Sequence, residues 1–214
     1  MRENTKVYDY ISQTFHPDNQ LDYVRDRMQE TGREGMSISE AEAGLLQFFI
    51  RSFQIQSIVE VGCFLGFSAI QMARALPENG KLISLESDPK YFEIAQSHIE
   101  RAGLSDKIEI KLGDAKDLLK QMQEPVDMIF IDADKGAYPE YLDWAEQYVR
   151  KGGLIFGDNS LLFGHAIHAE KPTNVSEKQW RAMRSFNERL ADTKKYRATL
   201  IPTQEGLTVA QKLF

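Results

Sequence analysis

Apolar positions change period once along the chain, and the change divides it. Beyond a helical opening in "MRENTKVYDYISQTF", the stretch "NQLDYVRDRMQETG" repeats Leu21, Val24 and Met28 at spacings of three and four. That is the stripe of an amphipathic helix, stopped by Gly32. In "SISEAEAGLLQFFIRSF", Ser39 stands three residues before Glu42, the spacing of a capping box, ahead of Leu45, Leu46, Phe49 and Ile50. From residue 57 onward short apolar runs alternate with helical periods. Strands are predicted at "SIVEV", "KLISLE", "KIEIKLG", "VDMIFID" and "LIFGD". Helices are predicted between them at "FSAIQMARAL", "PKYFEIAQSHIERAG" with Pro89 in its first turn, "AKDLLKQMQ" and "YPEYLDWAEQYVRKGG", which ends on a glycine stop. A polar loop, "HAIHAEKPTN", precedes a last helix, "SEKQWRAMRSFNERLADT", with Trp180, Met183 and Phe186 on one side. The alternating runs "RATLIP" and "LTVAQKL" flank Gln204, Glu205 and Gly206 and read as a hairpin. Strands alternating with helices predict an α/β fold with a parallel sheet, here closed by an antiparallel C-terminal hairpin.

Length and composition narrow the class. A chain of 214 residues with 42% hydrophobic positions fits one packed α/β domain, and 1–214 is read as a single domain, with N-terminal helices over 1–53 and an α/β core over 54–214. The net charge of −6 provides no global attraction to polyphosphate, which disfavours a nucleic-acid substrate. The single cysteine, Cys63, excludes an intramolecular disulfide and suits a reducing cytosol. No uninterrupted apolar segment opens the chain and no window reaches membrane-spanning length, so a soluble cytoplasmic protein is expected.

Candidate chemistry gathers at the carboxyl ends of the predicted strands. In "VEVGCFLGFS", Gly62 and Gly66 lie between strand and helix, where glycine lets backbone approach a ligand and the helix N-terminus offers unpaired N–H groups. Phe64 stands where a dinucleotide fingerprint needs its second glycine, which disfavours NAD. Glu86 ends the second strand 24 residues after Gly62, a place from which an acid can accept both hydroxyls of an adenosyl ribose. Glu60, Glu86, Asp114 and Asp132 mark four successive strand ends, and Asp158 and Asn159 follow the fifth. Asp132, Asp158 and Asn159 form an all-oxygen set suited to Mg²⁺, Mn²⁺ or Ca²⁺, although capping and Asx turns would also use such residues. His165 and His168 lack a third soft ligand and read as loop residues.

The blocks "VEVGCFLGFS", "ISLES", "LGDA", "FIDADKGAY" and "GDNSLLFG", in this order and spacing, resemble the class I S-adenosylmethionine-dependent methyltransferases, specifically the cation-dependent O-methyltransferases of the catechol and caffeoyl-CoA type. The likeness runs from about Met36 to the C-terminal hairpin. It implies a Rossmann-like, mostly parallel seven-stranded sheet with helices on both faces, a homodimer, and S-adenosylmethionine with a divalent cation, Mg²⁺ first, as cofactors. By position, Glu60, Gly62 and Cys63 would line the methionine half of the cofactor and Ser68 would hold its carboxylate. Glu86 would take the ribose, Asp114 and Ala115 the adenine, and Ile38 a further cofactor contact. Asp132, with Asp158 and Asn159, would hold the cation beside the cofactor, Asp134 would face the ammonium end, and Lys135 would take the acceptor's proton. One departure concerns the acceptor: plant caffeoyl-CoA enzymes read Asn-Thr-Leu-Trp-Asn-Gly where this chain has "NSLLFG", so Phe163 replaces a polar substrate contact and could stack on an aromatic acceptor or plug the core. The implied reaction is methylation of a catechol-like hydroxyl. Two alternatives stand beside it: a tRNA hydroxyuridine O-methyltransferase, for which Lys178, Arg181, Arg184 and Arg189 would supply a basic face, and a non-catalytic S-adenosylmethionine-binding protein.

Overall fold

The computed structural model describes residues 10–11, 14–15, 19–203 and 205–214. Most of the helical opening, and Gln204 at the hairpin turn, lie outside the described residues. Seven strands form one sheet in the order β3-β2-β1-β4-β5-β7-β6, counting β1 (Ser57–Val61), β2 (Lys81–Glu86), β3 (Ile108–Leu112), β4 (Val126–Ile131), β5 (Val149–Gly157), β6 (Tyr196–Ile201) and β7 (Leu207–Lys212). The helices described are α1 (Asp22–Thr31), α2 (Glu40–Ser52), α3 (Phe67–Ala75), α4 (Pro89–Arg101), α5 (Ala115–Gln121), α6 (Tyr138–Tyr148) and α7 (Glu177–Leu190). None of the described helices is long and apolar enough to cross a membrane.

The chain divides into two compact units, one of residues up to Gln56 with Cys63–Leu112, the other of Ser57–Gly62 with Gly113–Phe214. In the first, β2 and β3 run parallel, with Glu86 opposite Leu112 at their carboxyl ends. The apolar stripes of α1 and α2 bury Val24, Met28, Leu46 and Ile50, and α4 buries Ala95, His98 and Ile99. Ser39 caps α2 as its spacing predicts: its hydroxyl accepts from Glu42 N at 3.2 Å, and Glu42 returns the bond to Ser39 N at 2.8 Å.

In the second unit β1, β4 and β5 are parallel, and β7 joins β5 antiparallel with β6 outside it. Strand order reverses between β1 and β4, and ligands of open α/β sheets bind beyond the carboxyl ends at such a reversal. Residues 149–153, read from the sequence as the end of a helix, instead open β5, a strand of nine residues. The helix stops because Val149 pairs with Val126 and the β4–β5 register then shifts before Met128. Gly152, at φ +80, and Gly153, whose Cβ would lie 2.6 Å from Asp127 O, supply the kink inside the strand.

Candidate active site

In the first unit the turn after Gly62 is tied from outside. Gly66 N donates to Cys63 O at 2.9 Å and closes it, leaving Phe64 at φ +50 and Gly66 at φ +85. Glu86 turns its carboxylate onto this turn: Oε2 accepts from Phe64 N at 2.7 Å, while Oε1 accepts from Ser87 N and Asp88 N, both at 2.9 Å. A buried carboxylate with three amide donors is well satisfied, and one acceptor direction of Oε2 is left for a ligand hydroxyl. Cys63, Ser68 and Ile38 are buried, with Ser68 in the first turn of α3 and Ile38 in the loop before α2.

In the second unit Glu60 is fully buried within β1, opposite Phe130. Gly62 follows β1 at φ +98, and a Cβ there would sit 2.0 Å from Asp132 O. The glycine is therefore required by the neighbouring strand end, a constraint separate from the ligand approach read from the sequence. Asp114 caps α5, its Oδ1 accepting from Lys116 N at 2.8 Å, and Ala115 begins that helix. Asp134 caps the short 3-10 turn Lys135–Ala137 through Gly136 N at 3.0 Å, with Lys178 Nζ 4.0 Å from its other oxygen.

Register brings the acidic pair together. Ile131 lies opposite Gly157, so Asp132 and Asp158 leave adjacent parallel strands at one level, and Asp158 N donates to Ile131 O at 2.9 Å. Asp158 is buried, and Asn159 follows it at φ +50, a conformation asparagine tolerates. Among the described residues no cluster of three His, Cys, Asp or Glu side chains forms a metal site. The donor set at the strand ends is two carboxylates and an amide, hard oxygen donors that fit a hard divalent cation. Lys135 Nζ donates to Asp132 Oδ1 at 2.9 Å and to Tyr138 Oη at 3.1 Å.

Tyr138 is the residue that sequence reasoning missed. Its ring is fully buried against Phe186, in space that Gly157 leaves open, since a Cβ there would lie 2.5 Å from Phe186. Its hydroxyl lies 2.9 Å from Ile131 O and 2.8 Å from Asp158 O, and donates its one proton between these two carbonyls while accepting from Lys135. Burial, with Asp132 and Asp158 nearby, pushes this phenol well above its ordinary pKa and keeps it a neutral donor. A signal existed: a tyrosine at an otherwise apolar helix position, three residues from a lysine, needs a partner for its hydroxyl.

The loop after Asn159 is also braced. Asn187 Nδ2 donates to Ser160 O at 2.8 Å, Thr208 Oγ1 to Ser160 Oγ at 2.7 Å, and Ser160 Oγ to Gly206 O at 3.0 Å. Leu162 and Phe163 take left-handed backbone, at φ +49 and +54. Phe163 is 64% exposed, which removes the core-plug reading. Arg184 donates to His168 O at 2.7 Å and Ala166 O at 3.3 Å, holding the loop that carries His165 and His168. The supposed basic face is internally neutralised: Lys178 faces Asp134, Arg181 bonds Glu177, Arg184 pairs with Glu188, and Arg189 pairs with Asp143 and Glu146.

A family model described as O-methyltransferase matches residues 12–213. The chain is 39% identical to a catechol O-methyltransferase of Niastella koreensis over 90% of its length and 87% of that protein. It is 30% identical to caffeoyl-CoA O-methyltransferase 1 of Nicotiana tabacum, over 99% of this chain and 93% of that one. Among solved structures, it is similar to the O-methyltransferase TomG from Streptomyces achromogenes in complex with SAM, with TM-score 0.90 and 30% identity, covering 100% of both chains. The O-methyltransferase from Bacillus cereus in complex with SAH gives TM-score 0.87 and 32% identity, over 97% of each chain. The chain belongs to the O-methyltransferase family and carries the class I S-adenosylmethionine-dependent methyltransferase fold.

Proposed function

We propose that this enzyme methylates one hydroxyl of a vicinal aromatic diol, using S-adenosylmethionine and a divalent cation, Mg²⁺ first. The observation that carries the reading is the cluster in which Lys135, mostly buried, bonds both Asp132 and the Tyr138 hydroxyl beside buried Asp158. The cofactor when bound supplies an electrophilic methyl group, and the cation supplies Lewis acidity that makes a phenol a better nucleophile. In this reading Asp132, Asp158 and Asn159 would hold the cation, and Lys135, as the free amine and not the ammonium that pairs with Asp132, would accept the proton leaving the hydroxyl. Glu86 takes the ribose, while Ile38, Glu60, Gly62, Cys63 and Ser68 line the methionine half. Asp114 and Ala115 would meet the adenine, Asp132 would also contact the cofactor, and Asp134 would face its ammonium end. Phe163, exposed and on strained backbone, stacks on the acceptor ring; the catechol enzyme among the relatives supports a small aromatic acceptor. The same reading includes a homodimer and a cytoplasmic location, neither of which enters the chemistry.

Incubation of purified protein with S-adenosylmethionine and a simple catechol, with and without EDTA, tests the reading. Methylation is expected and should stop with the chelator; methylation indifferent to EDTA would remove the cation. Asp158→Ala is expected to abolish turnover and leave S-adenosylhomocysteine affinity near that of the parent, and a comparable loss of cofactor affinity would reassign the residue.

A further inference from the structure

The turn Cys63–Gly66 rests on the buried face of α4 at two points one helical turn apart. Under Gly66, where a Cβ would be 3.5 Å from Ala95 Cβ, the backbones approach closely; under Leu65, the ring of His98 reaches up and its Nδ1 lies 2.8 Å from Leu65 O. A carbonyl can only accept, so this ring carries its proton on Nδ1 and donates. Burial, with Arg27 and Arg101 close by, holds the imidazole below its ordinary pKa, so the donor is the neutral tautomer. Nothing about His98 is loose: Tyr23 Oη donates to its carbonyl at 3.0 Å, the Tyr23 ring meets the imidazole edge to face at 5.2 Å, and Arg101 lies 4.0 Å over Tyr23.

The turn needs such support. Phe64 holds a left-handed backbone that a non-glycine residue adopts at a cost, and such conformations persist where the surroundings impose them. Glu86 grips the amide of Phe64 and His98 grips the carbonyl of Leu65, so the two polar ends of consecutive residues are clamped from two elements. A turn already held in one geometry loses less freedom when a ligand binds it.

We infer that His98 is a positioning residue for the cofactor turn: it touches no ligand and sets cofactor affinity by holding Leu65 O. The inference rests on the reading that S-adenosylmethionine binds this turn. The test is calorimetric titration of S-adenosylhomocysteine into the parent and three variants, with thermal midpoints measured alongside. Asparagine places an amide nitrogen where Nδ1 stands, whereas alanine has no donor and glutamine, one carbon longer, carries its amide past the carbonyl. All three lose the imidazole packed on Tyr23, so all three are expected to melt lower than the parent. Affinity should split differently: His98→Asn within about threefold of the parent, His98→Ala and His98→Gln weaker by about tenfold, equivalent to ~1.4 kcal/mol. Parent-like affinity in the alanine or glutamine variant, or asparagine as weak as they are, would overturn the inference while leaving the cofactor reading intact. A parent protein that does not bind S-adenosylhomocysteine would overturn both.

Discussion

Gly62→Ala separates two reasons for a glycine after β1. The sequence reading makes Gly62 a place where backbone approaches a ligand; the structure adds a collision, because a Cβ at that position lies 2.0 Å from Asp132 O and 2.9 Å from Asp132 C. Those atoms are backbone of the adjoining strand end, pinned by Asp132 N donating to Val61 O at 2.8 Å, and cannot swing aside as a side chain would. The left-handed φ of +98 costs alanine about 1 kcal/mol. Relieving the overlap adds about 2–3 kcal/mol, the upper part of the range for overpacking. Gly103 supplies the control: at φ +69 it has nothing within 4 Å of its absent Cβ, so Gly103→Ala should cost only the first ~1 kcal/mol. Urea unfolding of both variants, compared at equal slope, is therefore expected to show Gly62→Ala weaker by about 2–3 kcal/mol than Gly103→Ala. Methylation should fall in the first only, since the displaced backbone carries Asp132. Equal midpoints for the two variants would refute the steric argument and return Gly62 to a purely ligand-facing role.

Two further outcomes follow from buried polar groups. Tyr138→Phe keeps the ring against Phe186 but leaves Ile131 O and Asp158 O without their shared donor and Lys135 without one acceptor; an unfolding free energy lower by about 1–3 kcal/mol is expected, with turnover falling more than cofactor affinity in paired rate and titration measurements. Unchanged turnover would mean that Lys135 is positioned by Asp132 alone. For His98 the sign of the pH effect follows from its depressed pKa: the unfolded chain takes up the proton first, so its stabilising share is complete above about pH 6.5 and is lost as pH falls from there through the folded value. The stability difference between parent and His98→Asn should therefore shrink on acidification, no faster than about 1.4 kcal/mol per pH unit, and parallel pH curves would contradict it.

Periodicity revealed which faces are buried, and that was enough for the strands and helices apart from the first half of β5, for the capping box at Ser39 and for the acids at the strand ends. It could not reveal which atom meets which across the fold. Hydropathy treats the ring of Tyr138 much as it treats a phenylalanine, while the partners of its hydroxyl lie 7 and 20 residues away. His98 was one more position in an amphipathic helix until Leu65, 33 residues earlier, supplied the acceptor. The same limit explains β5: Gly152 and Gly153 look like a helix stop when read locally, and Gly153 is seen to belong to a strand kink only once Asp127 O is known to occupy the space its side chain would need. In each case the missing information is a long-range backbone carbonyl. A carbonyl is invisible in the sequence because every residue has one. The residues that answer it, a tyrosine, a histidine and several glycines, are consequently the ones whose roles change most between sequence and structure, and three of the variants above, at Gly62, His98 and Tyr138, probe that class.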